Sequence, residues 1–300
     1  MEAIVGRKRS GVTVGIILII ICILWTLPTL GLLITSFRDE FQAKKTGWWT
    51  VFKDPEGLSI SNYKQVLIGK DYTYVNAEGR EVTARSQNLL LAFANSITVT
   101  IPAVVIPILI AAFAAYGFAW LRFPGRKILF TVVVALLVVP LQIALIPILR
   151  DYNRLNLTGT YLAVWLAHTG FGLPLATYLL FNYISTIPRS ILESAFVDGC
   201  SHFKIFMRLI LPLSVPALAS FAIFQFIWVW NDLLVAMVFL GTQQEVAVLT
   251  QRLYGLIGYL GEDYHLLTAG AFVSIVLPLA VFLALQRFFV RGLLAGSVKG

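Results

Sequence analysis

Charge is scarce in this 300-residue chain, where 13% of residues are Asp, Glu, Lys or Arg. A soluble domain carries about a quarter, so there are too few charges here to cover a globular surface in water. Cysteine is nearly absent: the two, Cys22 and Cys200, fall in an apolar run and a polar segment, and a structural disulfide between them is not expected. The three histidines, His168, His202 and His265, stand alone, with no Cys, His or carboxylate at metal-ligand spacing. No G-x-x-x-x-G-K-[ST] loop occurs, so ATP hydrolysis is not this chain's chemistry. Nor do the apolar runs carry the catalytic dyad or metal cluster of an intramembrane enzyme. The inverted repeats and midplane carboxylates of an ion-coupled secondary transporter are also missing.

What the chain has is apolar surface: 58% of residues are hydrophobic and the mean hydropathy is +0.83. Six apolar stretches run approximately over 12–34, 89–119, 128–149, 161–182, 213–240 and 266–285. Each reaches the roughly 20 residues that a helix needs to cross a bilayer. Backbone groups in lipid must bond within their own segment, and β-barrel alternation is absent. The expected fold is an all-α integral membrane protein with six transmembrane helices, forming a single transmembrane domain over 1–300. The first stretch is about 23 residues, longer than the ~7–15 of a signal core, so it reads as a retained span. Seven Trp and eleven Tyr suit two membrane interfaces.

The net charge of +8 does not point to nucleic acid, because the basic residues are scattered through short loops. Arg7, Lys8 and Arg9 precede the first stretch, and Arg122, Arg126 and Lys127 fill the second short connection. Arg189, Lys204 and Arg208 follow the fourth, and Arg287, Arg291 and Lys299 end the chain. The positive-inside rule then puts both termini in the cytoplasm. The outer loop 37–88 is also basic, which weighs against that orientation. Pro55-Glu56-Gly57 reads there as a turn, Ser61 as the cap of a short helix, and Tyr72 to Val75 as part of a small hairpin about Glu78-Gly79.

The segment 183–212 is long for a simple return. Pro188 stops the preceding helix, and Ser190-Ile191-Leu192-Glu193 has capping-box spacing. A short helix should run to Asp198, turn at Gly199, and give way to a second helix capped by Ser201 and bearing Phe203, Ile205, Phe206, Leu209 and Ile210. Leu211-Pro212 should close it. These elements fit an interfacial amphipathic hairpin as well as a protein-docking loop.

Glu193-Ser194-Ala195, Asp198-Gly199-Cys200, Phe203, Phe206 and Ile210-Leu211-Pro212-Leu213 closely resemble the EAA loop of ABC importer permeases. Ser194 and Cys200 replace alanines of that pattern, and both are small. Trp230-Asn231-Asp232 is similar to the fifth span of carbohydrate permeases, and Gln286 to Gly300 to the end of the smaller maltose-type permease. The resemblance implies a type I importer of the bacterial inner membrane with two permeases, two ATPase subunits that hold ATP and Mg, and an extracytoplasmic solute-binding protein. The chain itself would hold no cofactor. Glu193, Ser194, Ala195, Asp198, Gly199, Phe203, Phe206, Leu211 and Pro212 are the expected ATPase-coupling residues.

Polar groups at membrane depth default to functional candidates. Gln142, Gln225, Trp230, Asn231 and Asp232 are the expected pathway residues, with Asn182, Asn95 and His168 behind them. Asn231 reads equally as a helix end needing a polar cap. Trp228 and Trp230 fit an interfacial belt or a sugar-stacking surface. The resemblance implies a sugar, first a di- or oligosaccharide such as an α-glucoside, with a glycerol-phosphate or polyol solute as the alternative.

Overall fold

The computed structural model describes residues 2–53, 57–69, 72–75, 81–84, 88–257 and 263–295. Read from sequence as one domain, the chain divides by its contacts into two units, Met1–Leu90 with Leu253–Ser274, and Leu91–Arg252 with Ile275–Gly300.

In the first unit, helix α1 (Glu2–Ser36) contains the first apolar stretch and ends against the start of the outer loop. That loop is tied down by one cation. Arg38 is 2% exposed, and its guanidinium donates to the carbonyls of Gln42 and Thr46, both at 3.0 Å, and to the hydroxyls of Thr46 and Thr50. A buried charge persists only when its donors are so satisfied. Gln42 and Thr46 belong to the short helix α2 (Glu40–Lys45) and its C-cap, and Thr50 to the 3-10 turn Trp48–Phe52. Helix α3 (Ser61–Ile68) returns Asn62, whose Nδ2 donates to the carbonyls of Ser36 (2.9 Å) and Arg38 (2.7 Å).

Ser61 does not cap α3 as expected; it is the first helical residue, and its N–H donates to the Ser59 hydroxyl at 3.1 Å. The expected hairpin forms from β1 (Tyr72–Val75) and β2 (Glu81–Ala84), antiparallel, with Tyr72 opposite Ala84 and Val75 opposite Glu81. Its turn at Glu78-Gly79, and Pro55-Glu56, lie outside the described residues.

Among the described residues, four helices are long and apolar enough to cross a membrane: Val12–Ser36, Leu89–Trp120, Tyr161–Ile184 and Tyr264–Arg287. Two bent helix pairs bring the number to at most six, if each pair is one span. Where the sequence suggests a continuous third span over 128–149, α5 (Arg126–Ala135) with its 3-10 extension to Val138 meets α6 (Leu141–Arg154) at 104°. Pro140 is the cause. A proline forces the residue before it out of the helical region, and Val139 is extended at φ −71°, ψ 116°. The expected fifth span, 213–240, is also interrupted. Helix α10 (Val215–Trp230) ends before Asn231, and α11 (Leu234–Leu240) starts afresh.

The second unit packs around α4 (Leu89–Trp120) and α7 (Tyr161–Ile184). One core cluster joins Ala111, Ala115 and Tyr116 to Leu180, Ile184, Phe206 and Phe221; another joins Val99 and Ala103 to Val164, Val235 and Phe239. Pro102 and Pro107 lie inside α4 and have no N–H, so the carbonyls of Thr98 and Ala103 lose their helical donors. Side chains from other helices replace them. Trp165 Nε1 donates to Thr98 at 3.1 Å, and Gln225 Nε2 to Ala103 at 3.1 Å.

Candidate functional site

Helix α8 (Arg189–Val197) begins directly after Pro188, which occupies the cap position with an extended backbone. This overturns the expected capping box. Ser190 is already inside the first turn, where its backbone is helical and its hydroxyl cannot cap; its carbonyl instead accepts the Ser194 hydroxyl at 2.9 Å. Leu192 and Ala195 face inward and are buried, while Glu193, Ser194, Val197 and Asp198 are exposed.

The turn at the end of α8 forms as the sequence suggests. Gly199 has φ +74°, its N–H donates to Phe196 at 3.0 Å, and the Cys200 N–H donates to Ala195 at 3.0 Å. These are the two bonds of a Schellman motif, which satisfies carbonyls at the helix end through a left-handed residue. Ser201 then caps the second helix, accepting from the Lys204 N–H at 3.4 Å. This helix, α9 (His202–Leu213), is α-helical at its ends and takes a π turn over Phe206–Ile210. The wider register comes just before Pro212, which has no amide to offer. Leu211-Pro212 does not end the helix abruptly; the 71° bend to α10 falls at Ser214.

The two phenylalanines of α9 separate in role. Phe206 is 2% exposed and stacks on Phe113 of α4 at 4.3 Å, with Tyr116 5.4 Å away. Phe203 is 65% exposed, as are Val197 (87%) and Met207 (47%). Sequence reasoning placed both phenylalanines at the docking surface, but Phe206 is spent inside the chain because it shares a face with Ile205 and Ile210. It also missed Val197, and missed Tyr116, whose hydroxyl lies 2.9 Å from His202 Nδ1 and fixes the start of α9 on α4. Leu211 is half-buried and Pro212 exposed. The corner is thus welded to the span bundle from within, and offers an exposed apolar and acidic rim.

Asp232 accepts the N–H groups of Val235 (3.3 Å) and Ala236 (3.0 Å), so it caps α11. Its Oδ2 lies 3.7 Å from His168 Nε2, and its carbonyl accepts the Thr250 hydroxyl at 2.6 Å. Asn231 is exposed and bonds back to Ile227 at 2.8 Å. Trp230 is 3% exposed and packs on Phe93 and Phe226. The cavity beside Asp232 and His168 measures about 10 Å³, room for about one water and none for a sugar.

Gln225 is likewise buried and holds the carbonyls of Ala103 and His168. Asn95 is satisfied by Glu245, Ala247 and Tyr161. Gln142 and Asn182 are exposed, so Gln142 does not join the cluster. Of the expected pathway residues, Asp232, Gln225 and Trp230 are tied within the chain, and Asn231 and Gln142 are exposed.

The model of the family described as "Binding-protein-dependent transport system inner membrane component" matches residues 82–295, which include both clusters. The chain belongs to this family. It is 55% identical over 289 residues to the osmoprotective compounds uptake permease protein GgtD of Synechocystis sp., covering 95% of this chain and 91% of that one. It is 44% identical to the alpha-glucoside transport system permease protein AglG of Rhizobium meliloti, covering 98% and 99%. Among solved structures, a chain of a bacterial ABC transporter importing the acidic polysaccharide alginate superposes with a TM-score of 0.75 at 20% identity, covering 94% of this chain and 97% of that one. At that identity the likeness establishes the fold, that of a type I ABC importer permease.

The protein is therefore a multi-pass membrane permease of an ABC importer and not an enzyme. The ATPase belongs to another subunit, and a binding protein supplies the solute.

Proposed function

We propose that this permease forms half of the pathway for an α-glucosidic solute and is driven through the α8–Gly199–α9 corner. The observation that carries the reading is the Schellman corner with its exposed Glu193, Asp198, Val197 and Phe203, lying within the segment matched by the family. A second permease completes the pathway and two ATPase subunits bind ATP and Mg. One of them receives the corner in a cleft, and its closure on ATP swings the permease from inward- to outward-facing as a rigid body. Short-loop charges put the corner and both termini in the cytoplasm.

The names of the 44% and 55% identical relatives support the solute class. The second, named for osmoprotective compounds, also favours an osmoprotective solute over a glycerol phosphate. Uptake by the reconstituted importer with its binding protein tests this. α-Glucosides and osmoprotective compounds should be transported and compete with each other. Transport of glycerol phosphate alone would sink the assignment.

A further inference from the structure

Basic residues gather where α4, α5 and α8 meet. A cleft of about 280 Å³ is lined by Trp120, Arg122, Arg126 and Arg189, with Leu192 and Phe196 as apolar wall. Glu193 is the one carboxylate on its rim, so three guanidiniums face a single opposing charge. Among the described residues, none of the three arginines has a carboxylate within ion-pair distance. Arg126 spends one donor on the Leu121 carbonyl, at 2.9 Å. The indole Nε1 of Trp120 is buried and has no acceptor among the described residues. Guanidinium forks with a spare N–H donor suit a phosphate, which offers several acceptor oxygens and takes Arg bidentately.

We propose that this cleft binds the headgroup of an anionic phospholipid in the leaflet on the side of the α8 corner. A lipid is favoured over a protein partner because Arg122 and Arg126 also line a neighbouring cleft together with the exposed Ile128 at the start of α5. Arg126 opens α5, and Ile128 (73% exposed), Leu129 (50%) and Val132 (51%) follow, a face for acyl chains. The wall residue Leu192 also lies on the buried face of α8, away from the exposed Val197. Basic pockets between spans hold lipid headgroups in this way. The lipid would brace α8 against the ends of α4 and α5.

Native mass spectrometry of the assembled importer with added phosphatidylglycerol, phosphatidylcholine or inorganic phosphate tests the assignment. Wild-type complex should retain phosphatidylglycerol, and the Arg122→Gln/Arg189→Gln complex should bind it about tenfold more weakly, as for loss of charge-assisted hydrogen bonds. Arg122→Lys/Arg189→Lys, which keeps the charge, should retain more than the Gln pair and so separates charge loss from misfolding. Equal retention by wild type and the Gln pair overturns the site. So does displacement by inorganic phosphate alone, which assigns it to a free anion, or absence of bound lipid from the assembled wild-type importer, which assigns the cleft to protein.

Discussion

The side-chain amide of Gln225 donates to the carbonyl of Ala103 at 3.1 Å, the one carbonyl that Pro107 deprives of its helical donor. Gln225 also reaches the His168 carbonyl at 3.3 Å, so it fastens α4, α7 and α10 at one point. Gly172 makes room for it: a Cβ there would lie 2.8 Å from the Gln225 amide. Gln225→Leu should therefore destabilise the complex by roughly 1–3 kcal/mol, the cost of a buried acceptor left unmet, and leave solute preference unchanged. Thermal melting in detergent and competition uptake measure the two. A change in solute preference without a change in melting would return Gln225 to the pathway.

Phe206 and Phe203 should respond oppositely. Phe206→Ala empties a buried ring site against Phe113 and should cost on the order of 3–5 kcal/mol, seen as a lower melting temperature or failed insertion. Phe203→Ala removes an exposed ring, so the permease should fold normally while solute-stimulated ATPase activity falls severalfold. Equal melting loss for both variants would contradict the division of roles.

Asp232 is bonded as a cap. Asp232→Ala should cost about 0.5–2 kcal/mol, and Asp232→Asn, which keeps one acceptor, should cost less. Melting of the two variants decides it. If Asp232→Asn abolishes uptake at wild-type stability, the carboxylate has a duty in the pathway beyond the cap.

How far the sequence reveals this protein follows from which interactions are local. The Gly199 corner and the Ser201 cap are set by residues within a few positions, so spacing shows them. Pro188 is visible as a breaker, but the sequence does not show that it displaces Ser190 from the cap, nor that Pro140 turns the chain by 104°. The same limit hid Phe206. Which face of α9 meets α4 depends on a contact with Phe113, nearly a hundred positions away, and no local pattern distinguishes that ring from Phe203. Polarity in an apolar run singles out Gln225, Asn95 and Asp232. It could not say that their partners are mostly backbone groups of the same chain, among them the Ala103 carbonyl freed by Pro107.

The measurement closest to the central claim is solute-stimulated ATPase activity of the complete importer carrying Gly199→Val. A Cβ at Gly199 meets nothing within 4 Å, so the substitution acts through the backbone. A left-handed residue with a β-branched side chain costs roughly 1–2 kcal/mol, which should open the corner while the permease still inserts and assembles. The account predicts that stimulation and uptake collapse together in this variant. Wild-type stimulation with the variant fully assembled would contradict it.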